Sequence, residues 1–421
     1  MITTIANMLG RKNVKLWRIK AVVEETAELF FVRRELDTRR IKDTRKYEVT
    51  LFRDMPEGRA SISVVLTPSM TEGQIARALD RAYAAAQYAA NPPYRLPDPV
   101  EEAHVSKDSP LARRPLAESA GIMAKALFAP DVQPDAFVNS AEIFVKRVSC
   151  RIHASTGTDV SYTDAQVSGE FVVQCREPED VEMFNMFSFD TLDEQGLSDK
   201  VAEALRFVRD RARAQRVLKS GQYDLILSGN SVGSLLSYYV SRSSASSVYA
   251  QYSTWKRGED VQGETTGERL DLTLQSSVPY SDEGIPMKDM HLIQDGKLLG
   301  YHGPAQFCRY LRVPPTGEYQ RLVCANGTVP LETLKGSACL WVVTFSAFQT
   351  NAMSGHFGGE IRLAYLIEDG KVTPVTGGSV SGNILEAQKD LRFSTERYTS
   401  ARYDGPYAVR LKNASVAGTA D

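Results

Sequence analysis

Little in the sequence ties it to a metal, a membrane or an oxidising compartment. Only five histidines are spread over 421 residues, and none forms an H-E-x-x-H or H-x-x-x-H pair. The cysteines, Cys150, Cys175, Cys308, Cys324 and Cys339, are odd in number and include no C-x-x-C pair, so neither a disulfide framework nor a zinc knuckle is indicated. Each reads as a small buried apolar residue. No apolar run approaches membrane-spanning length, and the opening MITTIANMLGRKNVKLW lacks the pattern of a secretory signal, so the expected location is the cytoplasm. An excess of one charge is missing too. Fifty basic and 52 acidic residues leave a formal net charge of -2, which gives no reason to expect a nucleic acid or an anionic membrane as partner.

What is present is a soluble-type composition, 43% hydrophobic and 24% charged, on a chain long enough for two cores. The expected fold class is α+β: an N-terminal antiparallel sheet with helices over residues 1–220 and a C-terminal antiparallel, barrel-like β-rich domain over 221–421. Period-two alternation through "LFFVRRELDTRRIKDTRKYEVTLF" and "RASISVVLTP" predicts strands with one wet face. Thr71 and Gln74 form a capping box before the helical "IARALDRAYAAAQYAA". The proline- and charge-rich stretch 92–115 reads as a surface excursion. A short helix is expected near Ala117 to Phe128, and strands in "AEIFVKRVSCRIHASTGTDVSYTD" and "GEFVVQC". A long helix follows in "SDKVAEALRFVRDRARAQRVL", with Val201, Leu205, Val208 and Ala212 on one face, ended by a turn at Gly221. Beyond it, "HLIQDGKLLGY" and "LAYLIEDGKVTPV" each set Asp-Gly between apolar runs, a strong hairpin signal.

One motif asks for chemistry. Gly229-Asn230-Ser231-Val232-Gly233 matches G-x-S-x-G, the nucleophile elbow of serine hydrolases, within a strand-turn-helix pattern. A pattern this short arises in roughly one random chain in six of this composition. The downstream hairpins do not suit the parallel sheet such an enzyme needs, and no HGGG-like oxyanion loop precedes Ser231. The bland alternative is a small-residue turn in which Ser228 or Ser231 caps a helix.

Taken in order, several segments resemble the TldD/PmbA family, called modulators of DNA gyrase and related to metallopeptidases. They are "SGHFGGEIRLAYLIEDGKVTPVTGGSVSGNILE" (354–386), the terminal "AVRLKNASVAG", "LIQDGKLLGYHGPAQFCRYL" followed by "PPTG", and "SGQYDLILSGNSVGSLL". "CRIHASTGTDVSYTD" is similar to a family strand pair, with Ala154 where asparagine is usual. The resemblance covers most of the chain from about residue 140 and rests on shared order.

The family's catalytic branch carries H-E-x-x-x-H in this region, two histidines holding zinc and a glutamate acting as base, with a cysteine near the C-terminal sheet. Laid from Gly233-Ser-Leu-Leu236, the frame falls on Ser237, Tyr238 and Arg242. None suits zinc: a serine hydroxyl is a poor ligand, and a unit charge about 4 Å from another interacts by about 4 kcal/mol at an effective dielectric of 20, so the arginine would repel a dication. "VTFSAFQTNAM" also lacks the cysteine. The resemblance therefore implies the PmbA (TldE)-like branch: a non-catalytic subunit, without its own cofactor, that pairs with a zinc-bearing TldD-like subunit to degrade or mature unfolded peptides. On that reading Arg242, Asn351 and His356 are candidate peptide-binding residues, while Asn383 closes a turn. Three alternatives stay open: a peptide-binding homodimer, a stand-alone peptidase built around His356 and Glu360, and a serine hydrolase using Ser231.

Overall fold

Long β-strands form where apolar residues alternate with charged ones, because every second side chain can then be buried against a helix layer while its neighbour stays in water. The computed structural model of the protein describes residues 1–88, 90–101, 103–106 and 109–419. Strands Leu16–Val32 and Glu35–Met55 form a hairpin with Leu16 opposite Phe52, turning at Arg33, which takes a positive φ of 58°. Gly58–Leu66 pairs outside the second strand. Ala136–Ala154 pairs outside the first, followed by Asp159–Cys175 and Val181–Phe189, all antiparallel.

Helices cover this sheet in two places. Ile5 and Leu9 of helix Ile2–Arg11 meet Ile75 and Leu79 of helix Glu72–Ala85 over Ile19, Val49 and Leu51. The second helix opens on the expected capping box, in which Thr71 Oγ1 accepts from the Gln74 backbone N–H and Gln74 Oε1 accepts from that of Thr71. Further along, helices Leu116–Phe128 and Glu194–Ala212 cover Ile143, Val145, Val167 and Phe171. The longer helix does bury Val201, Leu205, Val208 and Ala212.

That helix stops at Ala212, earlier than its periodicity suggests. The Gln215 backbone instead bonds to the barrel, donating to the Pro374 carbonyl at 2.9 Å and accepting from the Thr376 amide at 3.1 Å. Gly221 is the first residue of a strand, opposite Val416, rather than a helix-ending turn. The stretch expected to wander over the surface at 92–115 also departs in part: Ala103–Ser106 joins the sheet parallel to Asp159–Cys175, and Pro110–Arg113 is a helical turn. Residues 102, 107 and 108 of that stretch lie outside the described residues.

The C-terminal part closes into a five-stranded barrel. Strand Gly221–Ser228 pairs in parallel with Ala338–Thr350 and antiparallel with Ala408–Ala417. The ring continues through Ser379–Asn383 and His356–Glu368 back to Ala338–Thr350. Both Asp-Gly hairpins form, with Asp295-Gly296 and Asp369-Gly370 at positive φ as a two-residue turn of this hand requires. A smaller sheet stands beside the barrel, made of Leu272–Gln275, Met290–Gln294, Lys297–Leu298, Arg321–Cys324, Tyr403–Pro406 and Arg397–Thr399.

Alternation along the barrel strands feeds two cores. Leu225, Leu227, Leu340, Val342, Val409 and Leu411 join one, where they meet helix Asn230–Arg242. Ile226, Trp341, Leu363, Tyr365 and Ile367 face the other way, joining the core that contains helix Glu194–Ala212. Tyr365 seals that junction by donating to Asp210 Oδ2 at 2.5 Å. All five cysteines are free and buried. Among the described residues no helix is long and apolar enough to cross a membrane.

Leu225 is fully buried on a strand bonded on both sides. Leu225→Ala is expected to cost about 2–5 kcal/mol, read from urea unfolding, because the closed ring limits collapse into the space left behind.

Candidate functional site

Helix Asn230–Arg242 leaves the barrel directly after strand Gly221–Ser228, and the junction is tightly held. Ser228 Oγ donates to the Val342 carbonyl and accepts from Trp341 Nε1, each at 3.2 Å. The Gly229 amide donates to the Tyr407 carbonyl at 2.8 Å. Gly229 turns the chain with φ 60° and ψ -131°, a conformation a side chain resists. The elbow's strained position is thus Gly229, while Ser231 lies two residues on, inside the helix. Among the described residues no hydrogen bond joins Ser231 to a histidine. His302 Nε2 instead lies 2.9 Å from the Val240 carbonyl, so that nitrogen carries the proton. The strand-turn-helix order expected from the sequence holds, but a nucleophile-base pair is not assembled.

The helix has two faces. Val232, Leu235, Leu236 and Tyr239 enter the barrel core, with the Tyr239 hydroxyl donating to Gln388 Oε1 at 2.6 Å. Asn230, Gly233, Ser234, Ser237 and Ser241 line a cavity of about 630 Å³. These small and polar residues recur near every third or fourth position, as one face of a helix must. Strand Tyr403–Pro406 crosses the helix at Gly233, where a Cβ would sit 2.7 Å from the Tyr403 Cβ. Opposite the helix the cavity is closed by Lys200, Arg321 with Leu322, and Arg402.

Only one of the three positions singled out by the zinc frame faces this cavity. Ser237 does, and its hydroxyl donates to the Ser234 carbonyl at 2.7 Å. Tyr238 is 3% exposed and packs edge-on against Trp255 with ring centres 5.8 Å apart, and burial raises its hydroxyl pKa. Arg242 stands 5.6 Å from the Trp255 ring centre, with Nη1 donating to the Tyr252 carbonyl. Tyr238 and Arg242 therefore meet at Trp255, while Ser237 faces the cavity. The other cavity-lining residues of this helix, Asn230, Gly233, Ser234 and Ser241, share with Ser237 a helical recurrence that is visible in the sequence.

The donor set on this helix does not suit zinc. Carboxamide and hydroxyl groups are weak ligands compared with imidazole, thiolate or carboxylate. Among the described residues no group of three His, Cys, Asp or Glu side chains is placed to hold a metal.

Of the candidate peptide-binding residues, Asn351 and His356 meet in one turn, where the Asn351 amide donates to the His356 carbonyl at 2.7 Å. Asn351 Oδ1 accepts from the Met353 and Ser354 amides at 2.9 Å, shaping a turn. His356 is exposed at the start of a strand and pairs in register with Asn383. Asn383 closes that turn, donating to the Ser354 carbonyl at 3.0 Å and capping helix Ile384–Ala387 through the Leu385 amide. Neither Arg242, Asn351 nor His356 lines the cavity. His356 and Glu360 lie four residues apart on one strand, about 13 Å by strand rise, too far to share a metal. The cations that do line the cavity come from three distant segments, and no local motif announces them.

Comparison with known proteins follows the same fold. Residues 220–418 match the PmbA/TldA metallopeptidase C-terminal domain. A metalloprotease TldD homolog of Haemophilus influenzae is 29% identical over 163 residues, covering 34% of this chain and 34% of that protein, about a third of the relative's length. TldE from Thermococcus kodakarensis superposes with a TM-score of 0.79 at 18% identity, over 99% of this chain and 100% of that one. A protein from Thermotoga maritima described as a modulator of DNA gyrase superposes with a TM-score of 0.80 at 16% identity, over 99% and 100%. At such identities the superpositions speak to the fold alone.

Two outcomes test this geometry. Gly229→Ala should lower unfolding free energy by about 1–3 kcal/mol, as a side chain at a strained φ/ψ does, whereas Ser231→Ala should shift it by no more than about 0.5 kcal/mol in the same urea titration. His302 carries a second prediction. Burial holds its pKa below the ordinary 6.5, and its Nδ1 is buried without a partner. As pH falls through 6.5 the unfolded chain binds the proton first, so stability is lost on acidification below that point. Thermal melts between pH 7 and pH 5 should show a decline that is smaller in His302→Gln.

Proposed function

This chain is a member of the TldD/PmbA family through its C-terminal domain, residues 220–418, and from that membership we propose that it is a non-catalytic, TldE-like subunit. It would pair with a TldD-like zinc subunit and help to hold unfolded peptides during their degradation or maturation. One observation carries the reading: the helix face that meets the cavity presents Asn230, Gly233, Ser234 and Ser237, none of which has the imidazole or carboxylate that a zinc peptidase needs. Each of these residues can donate or accept a hydrogen bond or leave room for a backbone, which suits binding an extended chain. None can activate water.

The cavity keeps features useful to such a role. Its wall combines hydroxyls with an apolar strip of Val240, Leu274 and Leu322, the mixture a site needs to recognise main-chain groups while accepting varied side chains. The same mixture serves equally well in a homodimer, so the partner is decided by assembly rather than by this cavity.

The direct test is reconstitution. Cleavage of an unstructured peptide is expected from a mixture of this chain with a TldD-like subunit, is abolished by a chelator, and is absent with this chain alone. Chelator-sensitive cleavage by the isolated chain would overturn the non-catalytic assignment. Chelator-resistant cleavage lost in Ser231→Ala would revive the serine mechanism.

A further inference from the structure

We propose that the cavity beside helix Asn230–Arg242 binds the C-terminal carboxylate of an extended peptide, with Lys200, Arg321 and Arg402 as its anion partners. The inference deepens the peptide-holding role above and rests on it. Three cationic side chains line this cavity and no aspartate or glutamate does. The chain as a whole carries a net charge of -2, so this cluster of one sign is a local feature rather than a reflection of a basic protein.

The three cations differ in how far they are already satisfied. Arg321 is anchored through Nη2 to Asp190 at 3.1 Å, which fixes its guanidinium at the wall, while its Nε is buried without a partner. Among the described residues Lys200 meets the Tyr398 hydroxyl at 3.2 Å and the face of the same ring at 4.7 Å. Arg402 is exposed and has no carboxylate partner among the described residues. Among the described residues two positive charges therefore face the cavity without a counter-ion, the third standing ready as an oriented donor.

The helix adds to the same field. Its N-terminal residues Asn230 and Gly233 line the cavity, and no side chain caps its first amides, because the N-cap is Gly229. The positive end of the helix dipole acts together with the three side chains. Val240, Leu274 and Leu322 continue the wall as an apolar strip. An anion attached to an apolar body covers both parts, whereas inorganic phosphate would leave the strip wet. The volume of about 630 Å³ is ample for the last residues of a peptide.

Calorimetric titration of the full chain with a short unstructured peptide, as free acid and as C-terminal amide, tests this directly. The amide is expected to bind about tenfold more weakly or worse, since it cannot accept charge-assisted hydrogen bonds at that end. Lys200→Gln and Arg402→Gln, both at solvent-reachable positions, should each weaken the acid form and leave the amide form unchanged. Raised salt should also weaken the acid form alone. Equal binding of acid and amide would overturn the carboxylate site while leaving the peptide-holding role intact. Failure of both peptides to bind would overturn both. Displacement of the acid peptide by inorganic phosphate at matching concentrations would also overturn the carboxylate site, showing a general anion site instead.

Discussion

A helix can lie at backbone distance from a strand only where no side chain intervenes, and Gly233 provides that gap against Tyr403. Everything around the cavity hangs on this approach. Tyr403 is 2% exposed, and its hydroxyl donates to the Pro406 carbonyl at 3.0 Å, so its strand is fixed from within. That strand runs parallel to Arg321–Cys324, with Leu322 opposite Tyr403. Bringing Tyr403 onto the helix thus brings Arg321 and Arg402 with it. A methyl group at position 233 would have to push the small sheet away and open the cavity.

The barrel supplies the other half of the constraint. Its closure places Gly221–Ser228 between two partners, which leaves the following turn no freedom except through the unusual backbone of Gly229. Burying Val232, Leu235, Leu236 and Tyr239 then fixes the rotation of the helix, and what remains outward is a row of small polar residues. That row carries hydroxyls, a carboxamide and a glycine, a set poor in zinc ligands.

Much of this was legible in the residues themselves. The stretch around Gly229 announces its strand-turn-helix order, which the structure shows. Asp295-Gly296 and Asp369-Gly370 announce their hairpins, and Thr71 with Gln74 announces a helix start, because each is a local rule with a local cause. The resemblance from residue 140 onward pointed to the correct family. The misreadings came where distant segments decide. Helix Glu194–Ala212 ends early because Gln215 finds Lys371–Val375, the strand hairpinned to the barrel strand His356–Glu368, and Ala103–Ser106 becomes a strand because a parallel partner awaits it. The direction of Tyr238 depends on Trp255, seventeen residues away, and Lys200, Arg321 and Arg402 meet only through the tertiary fold. Helical periodicity did hold the register of the cavity face, in which residues 230, 234, 237 and 241 recur.

The central claim is that the chain's own donors cannot hold catalytic zinc. Loading the purified chain with zinc, removing loosely held ions by gel filtration and counting the metal by mass spectrometry addresses it without requiring a substrate or a partner. The account predicts a content far below one zinc per chain. One tightly held zinc per chain, retained through that step, would contradict it.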